Sequence, residues 1–493
     1  MIRVTRWCWA VGGLLTTGLA SVGACSEPAA ATLGAERADA SLGVDGTAYD
    51  ADNTVDATVG DDAAVADASA DDAAADAPPD DAPSDAPIVP TKPPGTFDDS
   101  FGDGGVVITP VAGVPLDLQP RSNGRMLVSG RAFPDAGISA TLIMQTDAMG
   151  NLDPSFGDGG VAAFSEVNFD ALGARLLPNG NAWVLASSYT GAADVVQLLP
   201  DGNVAPAYGV RAVPQSPLGP SDQSGVWGFA ATNDEMLVTG WYLTTSSGDF
   251  QTRRLLVDGG IDSTFGAPRQ NFSPRVGYAK SIRRQSTGKI VVAGGSGDNT
   301  MPGIDLTAVR MNADGSRDLT FGVGGVAAQN LYQSLNRSTK LEVLPDDSLL
   351  LGFTLLILPD AGIPEGGVTP PTYTTTGILK LTKDGEVDAS FGTGGLAVVT
   401  PANTQWSELG SFHRLANGQL LVTGWGLSAP YQPYHMYLAR LNADGSLDAS
   451  FGAGGILQGP ADTIGRDVAL GAGCKIVVVG TVGDKVAFWH VNP

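Results

Sequence analysis

The phrase Ser-Phe-Gly-x-Gly-Gly recurs along this chain at near-even spacing, and a repeat of that length admits few architectures. It begins at Phe101-Gly102-Asp103-Gly104-Gly105 and returns, with variations, at Phe156, Phe265, Phe321, Phe391 and Phe451, with a worn copy at Tyr208-Gly209. The intervals are 55, 52, 57, 56, 70 and 60 residues. The stretch before Phe451 shows the unit best. Glu408 to Leu415 reads as a strand leading into Ala416-Asn417-Gly418, and Gln419 to Gly424 reads as its hairpin partner. Asn-Gly between apolar runs signals a tight turn, because a primed turn needs positive φ. The same corner stands at Asn123-Gly124, Asn179-Gly180, Thr287-Gly288 and Gly473, and in altered form at Asn233-Asp234 and Asp346-Asp347. A third strand, Met436 to Leu441, ends in a second turn, Asn442 to Ser446, and Ile456-Leu457 begins a fourth.

Four antiparallel strands repeated with no helix-period segment between them predict an all-β fold, a β-propeller. The chain enters with a lone fourth-strand phrase, Thr96 to Thr109. It leaves with three strands, Asp467 to Leu470, Lys475 to Val479 and Lys485 to Val491. The units between successive aromatic residues give six blades, and the leftover ends complement each other to make a seventh. The expectation is a seven-bladed β-propeller of four-stranded antiparallel blades over residues 96–493, its ring closed by the N-terminal strand. Closure removes the edges that an open array exposes. An open solenoid is the competing architecture, since period alone does not separate the two.

The run Asn442-Ala443-Asp444-Gly445-Ser446-Leu447-Asp448-Ala449-Ser450-Phe451-Gly452-Ala453-Gly454-Gly455 resembles the unit of the bacterial delta-60 repeat family, and the resemblance spans nearly all of residues 96–493. It implies a β-propeller common on exported proteins and supplies no activity. The third unit departs most: Val204-Ala205-Pro206-Ala207-Tyr208-Gly209 lacks both the Asp and the Ser.

Ahead of the repeats lie two further zones. Residues 1–25 start with Arg3 and Arg6, continue with an apolar run from Trp7 to about Ala20, and end in Ser21-Val22-Gly23-Ala24-Cys25. That is an export-signal layout, too short to span a membrane as a helix. Val22-Gly23-Ala24-Cys25 resembles the bacterial lipobox, which implies cleavage before Cys25 and lipidation there; the motif prefers Leu where Val22 stands. Ordinary secretion is the competing expectation. Ser26 after the cysteine implies outer-membrane sorting, so the chain is expected at the outer membrane or cell surface, held by lipid. Residues 26–95 hold sixteen Asp or Glu against Arg37 and Lys92, with almost no aromatic residue, and are expected to form a disordered, acidic Ala/Asp/Pro tether. The tract contributes −14 to the net charge of −24, and residues 96–493 contribute −12. An acidic body excludes nucleic acid as an expected partner, because phosphate binding needs Lys and Arg. With Cys8 removed and Cys25 lipidated, Cys474 is left alone, so no intrachain disulfide is expected. Beside Lys475 to Val479 it reads as a small buried residue.

Asp98, Asp153, Asp262, Asp318, Asp388 and Asp448 invite a calcium reading, but no copy carries the dense carboxylate spacing that calcium requires. Short Asp and Ser side chains cap turns by bonding to nearby amides, which explains the pattern without metal. Phe101, Phe156, Tyr208, Phe265, Phe321, Phe391 and Phe451 are expected to pack between blades. The glycines precede strands rather than a helix N-terminus, which argues against a phosphate loop. His413, His435 and His490 are not at metal-ligand spacing, and no nucleophile elbow, His-Glu-x-x-His or paired-Cys motif occurs. No cofactor or metal is expected.

Both short turns of each unit should lie on one side, leaving the variable connections on the other: Ser221 to Trp227, Trp241 to Phe250, Leu355 to Thr376 and Trp425 to Tyr434. Variable loops on a rigid scaffold are where recognition lives. There the sixth blade gathers Trp406, His413, Trp425, Tyr431, Tyr434 and His435, a group suited to a sugar or peptide. The expected function is a surface-anchored binding or scaffolding module of the envelope for a protein or glycan. The alternative is an extracytoplasmic polysaccharide lyase or hydrolase with carboxylates at the central channel.

Overall fold

In the computed structural model, the described residues are 92–121, 123–133, 140–162, 170–187, 193–213, 223–232, 235–243, 248–256, 258–266, 269–271, 276–297, 304–331, 339–357 and 373–493. Residues 1–25 and nearly all of the acidic tract lie outside them. Two turns per unit set the frame. At the first, Arg121 N–H donates to Arg125 O and Gly124 N–H donates to Arg121 O, with Gly124 at φ 78°. Asn123 keeps negative φ and accepts the Arg125 N–H on its side-chain carbonyl. The corner is therefore a type I turn followed by a left-handed glycine, not the two-residue primed turn that Asn-Gly suggests. Leu177–Asn181 and Leu415–Gln419 repeat it, and Asp347 takes the left-handed place, at φ 64°, between Leu344 and Ser348.

The strands that these turns join are all antiparallel neighbours. β1 (Val106–Pro120), β2 (Met126–Ala132) and β3 (Ala140–Thr146) come first. β4 (Asp170–Leu176), β5 (Ala182–Ser187), β6 (Ala193–Leu198) and β7 (Val210–Ala212) make a four-stranded sheet in that order. So do β8 (Gln223–Ala231), β9 (Glu235–Leu243), β10 (Gly248–Leu256) and β11 (Arg269–Asn271). The next such sheet is β12 (Val276–Arg284), β13 (Ile290–Gly297), β14 (Ile304–Met311) and β15 (Val326–Gln329). Then come β16 (Lys340–Val343), β17 (Leu349–Ile357), β18 (Tyr373–Leu381) and β19 (Leu396–Val399). β20 (Trp406–Arg414), β21 (Leu420–Leu427), β22 (His435–Leu441) and β23 (Ile456–Ala461) follow; one parallel pair, Thr374↔Trp406, joins them to the preceding strands. The last are β24 (Thr463–Leu470), β25 (Ile476–Val482) and β26 (Lys485–Val491).

β1 serves two sheets. Its first part pairs with β26, as at Val106↔Trp489, and its second part pairs with β2, as at Leu118↔Val128. Each core lies between one sheet and the next: Leu127 and Ile143 pack with Ala171 and Val196, Leu421 and Leu438 with Val468 and Val478, and Met126 and Leu142 with Val477 and Phe488. Face-to-face packing of successive sheets is what a propeller requires. Among the described residues no helix is long and apolar enough to cross a membrane.

The first strands share one distortion. Register breaks between Pro115 and Asp117, Ala171 and Gly173, Val226 and Gly228, Ala279 and Ser281, Leu409 and Ser411, and Gly465 and Asp467. A bulge re-aims the residues around it. One residue past the break, Leu118, Ala174, Phe229, Ile282, Phe412 and Val468 are all buried in the cores, which places the residues on either side of them on the opposite strand face.

Candidate functional site

The recurring Asp is used inside its own turn. Asp98, Asp153, Asp262, Asp318, Asp388 and Asp448 each accept, on Oδ1, the N–H and hydroxyl of the Ser or Thr two residues on. The other oxygen takes a cation: Lys475, Arg125, Arg254, Arg310 with Lys289, Lys380 and Arg440 respectively. Hydrogen bonds from Ser100, Thr264 and Ser390 lead in lowering Asp98, Asp262 and Asp388 to about 2. No group of acidic, His or Cys side chains among the described residues is arranged to hold a metal ion. The aromatic residue after each hook is buried in all seven copies: Phe101, Phe156, Tyr208, Phe265, Phe321, Phe391 and Phe451.

The hooks also tie one unit to the next. Gly157, Gly266, Gly322 and Gly392 donate their N–H to Asp201, Asp314, Asp384 and Asp444 O, in the second turn of the following unit. Gly452 donates instead to Pro94 O, so the N-terminal segment stands where a following turn would be. In these turns the glycine is required: Gly385, at φ 88°, would place a Cβ 2.9 Å from the Phe321 ring.

Between the sheets, neighbouring first strands touch. Leu118 N–H donates to Asp467 Oδ2 at 2.8 Å and Ala174 N–H to Asp117 Oδ2 at 3.0 Å. Leu341 N–H reaches Ser281 Oγ at 3.3 Å, and Ser411 bonds to Asp467. The same position therefore latches four of these strands to a neighbour, through Asp117, Ser281, Ser411 and Asp467. Farther along the same strand face, Arg283 on β12 lies within electrostatic reach of charged side chains on β1, β4, β16 and β24. Burial opposes ionisation of Asp117, but Arg175, Lys340 and the Ala174 N–H together hold its carboxyl below the usual range. Burial, reinforced by the Asp117 charge and opposed by Lys340, pushes Asp467 up. Burial likewise raises Glu342 against the pull of Arg283 and Arg414, and lowers His413 against Asp467.

The aromatic group of the sixth unit divides. Trp406 opens β20, Trp425 stands near the end of β21 opposite Met436, and His435 opens β22, so these three share one end of the sheet with Tyr431 and Tyr434 in the β21–β22 loop. Trp425 and Tyr434 meet edge to face at 4.9 Å, Trp406 lies 6.3 Å from Tyr373, and Tyr431 is fully exposed at φ 65°. His435 shares a cleft of about 420 Å³ with Asn403, Thr404, Ser428, Gln458 and Gly459. Its Nδ1 lies 3.1 Å from Gly459 O; in the tautomer that donates there, Nε2 is an acceptor. His413 is not part of this group: it sits at the far end of β20, opposite Leu421, within reach of Asp467.

Cys474 corrects another expectation. It is half-buried in the corner Gly471–Lys475 at φ 60°, before β25 begins, and it is disulfide-bonded. The apolar run beside it is buried from Ile476 onward, but the turn residue is not. Cys8 and Cys25 are the chain's other cysteines, so the bonding partner lies outside the described residues. Of the variable connections, residues 221–222, 244–247 and 358–372, with Pro359, Pro364, Pro370 and Pro371, also lie outside them, as do Asn233 and Asp234. The short turns do share a side: a Cβ on Gly124 would lie 3.0 Å from Ala148, and one on Gly418 would lie 3.1 Å from Ala443.

The residues missed by reading the sequence are those where the first strands meet. A signal existed: Asp117, Gly173, Ser281, Lys340, Ser411 and Asp467 stand seven residues before the left-handed residues Gly124, Gly180, Gly288, Asp347, Gly418 and Cys474 (124 − 117 = 7, and so on).

Sheets, hooks and turns define a β-propeller repeat protein. The family model described as "Domain of unknown function (DUF5122) beta-propeller" matches residues 121–156, 285–321 and 415–451. Each match runs from the first turn of a unit to its hook aromatic residue. Similar solved structures include an ulvan lyase of polysaccharide lyase family PL25, 12% identical over 78% of this chain and 94% of that one, with a TM-score of 0.44. Others are a glucose dehydrogenase (15% identical, 64% and 95%, TM-score 0.37) and an alpha-L-arabinanase of Penicillium chrysogenum (10% identical, 72% and 97%, TM-score 0.39). No curated protein matches the chain.

Proposed function

We propose that this chain is a recognition module of the bacterial envelope: a seven-bladed propeller of four-stranded blades, closed by β1 against β26, that holds a glycan or protein at the loop end of its sixth blade. One observation carries the reading: the edge-to-face Trp425–Tyr434 pair and the exposed Tyr431 lie at the same end of the sheet as the His435 cleft, whose other side-chain linings are neutral amides and hydroxyls. Aromatic faces with polar tips, beside amide and hydroxyl donors and acceptors, suit a sugar ring or an extended peptide. The test is a glycan array and an envelope pull-down with the intact chain beside a Trp425→Ala/Tyr434→Ala variant. Capture that disappears in a folded variant supports the reading. Capture by neither protein, or equally by both, refutes it.

Export and lipid anchoring at Cys25 belong to the same proposal, with the acidic tract as spacer. The mass of the mature N-terminal peptide decides the anchor. The second reading, a lyase or hydrolase acting where the first strands meet, draws on the opposite shifts of Asp117 and Asp467. Against it stands the use of both carboxylates as acceptors for neighbouring backbone N–H groups.

A further inference from the structure

We propose that the sixth-blade cleft takes an uncharged glycan, and that Tyr431 is the platform on which one of its sugar rings stacks. This rests on the recognition reading above and narrows it to one ligand class. The cleft is lined from residues 400–405 between β19 and β20, from residues 428–434 between β21 and β22, and from β22 and β23. Its chemistry is neutral. Asn403, Ser428 and Gln458 are exposed and, among the described residues, their side chains form no hydrogen bond within the protein. Two amides and a hydroxyl therefore keep both donors and acceptors for a ligand. Thr404 Oγ1 donates to Pro401 O at 2.7 Å, so it can only accept.

Neither 400–405 nor 428–434 contains a charged residue. Thr463 N–H donates to Tyr434 O at 3.1 Å, which brings Asp462, the single residue between β23 and β24, close to this end. A uronate or sulfate leaving water needs a cation or several donors, and here the added charge is an acid. Sugar hydroxyls, each both donor and acceptor, match the amides and hydroxyls without that cost.

The backbone supplies an independent observation. Five described residues other than glycine have positive φ. Asp347 and Cys474 stand in first turns, but Asn403 (56°), Tyr431 (65°) and Asp462 (60°) stand in the three connections at this end of the sixth blade. Asn and Asp enter the left-handed region at little cost, whereas a bulky Tyr does not. Gln432 N–H donates to Ala429 O at 3.2 Å, so Pro430 and Tyr431 are the central residues of a turn. With positive φ at the second of them it is a type II turn, where glycine is the ordinary residue. Pro430 and Pro433 stiffen it on both sides. The Tyr431 ring recovers nothing by packing, because it is fully exposed. A strained, rigid turn that holds an aromatic face in solvent, on the same loop as Ser428, suits stacking against a ligand seated in the cleft.

The test is calorimetric titration of the purified full chain with cellotetraose, maltotetraose, laminaritetraose and mannotetraose, beside tetragalacturonate, at low and high sodium chloride. At least one neutral probe should bind, tetragalacturonate should not, and the affinity should be the same at both salt concentrations. Tyr431→Gly should weaken that affinity about tenfold, the scale of a central aromatic contact. It should unfold no earlier than the wild type on heating, because glycine suits the turn, and Tyr431→Phe should keep the affinity. Unchanged affinity in Tyr431→Gly overturns the proposal, as does tetragalacturonate binding as well as the neutral probes, or affinity that falls with salt. Failure of every neutral probe, with an envelope protein captured and then lost in Trp425→Ala/Tyr434→Ala, overturns the glycan and leaves the recognition reading standing. No capture of any kind overturns both.

Discussion

Replacing Asp318 with Asn tests whether the repeated hook is a structural ion pair. Asp318 is 5% exposed and accepts four bonds, from the Thr320 N–H (3.1 Å) and hydroxyl (2.6 Å), from Arg310 Nε (2.6 Å) and from Lys289 Nζ (2.7 Å). Burial opposes ionisation, yet the Lys289, Thr320 and Arg310 donors hold the carboxyl well below its usual range. Arg310, itself nearly buried, also stacks 4.8 Å over the Phe321 ring, so its guanidinium cannot swing to solvent without uncovering that ring. Removing one member of a buried pair costs about 3–5 kcal/mol, since the other charge is stranded. Asp318→Asn should lose about that much in urea unfolding at pH 7. Arg310→Met/Asp318→Leu should lose clearly less, because the buried guanidinium goes with its carboxylate and the remaining cation, Lys289, is a third exposed and can reach solvent. The sign with pH follows from the lowered folded value: the stability due to Asp318 is present above its unfolded pKa near 4 and is lost as pH falls through the folded pKa. The wild type should therefore lose stability on acidification more steeply than Asp318→Asn. Equal acid slopes, or a loss below about 1 kcal/mol at pH 7, would refute the structural ion pair.

Other outcomes follow from the same contacts. Phe321→Ala should lose about 3–5 kcal/mol in urea unfolding, as expected for emptying a fully buried aromatic site. Gly385→Ala should lose at least about 1 kcal/mol, because it adds left-handed strain to a Cβ held 2.9 Å from Phe321, whereas Gly394→Ala, with nothing within 4 Å, should show only the strain. Asp262→Asn should cost less than Asp318→Asn in the same assay, since its turn is more exposed and its cation is shared with Glu235. Non-reducing electrophoresis should show a faster band than reduced samples if the Cys474 disulfide forms in the protein, and identical mobility would contradict it.

The repeat made the sheets legible because its signals are local. Hook, turn and alternation each depend on residues within a few positions: β20 to β26 fall within a few residues of the strands expected from Glu408 onward. What escaped was nonlocal. The bulges at Lys280 and Arg466 depend on register between strands, which no single strand reveals. Cys474 was misplaced for the converse reason: an apolar run suggested burial, but a left-handed turn residue faces outward however apolar its neighbour. His413 went to the wrong end of the blade because adjacency in composition was read as adjacency in space. Along β20 it lies seven residues from Trp406, roughly 24 Å at the usual strand rise.

The architecture separates what holds the protein together from what it can recognise. Every hook carboxylate is spent on its own turn and on a cation from its own sheet or an adjoining strand, so substitutions there act on stability. Where the first strands meet, the requirement is weaker. The latching position needs a short acceptor for the next strand's N–H, and Asp117, Ser281 and Asp467 all serve, while Gly173 occupies the same place without one. A position that tolerates Asp, Ser, Gly and Lys340 does not dictate charge for the sake of the fold.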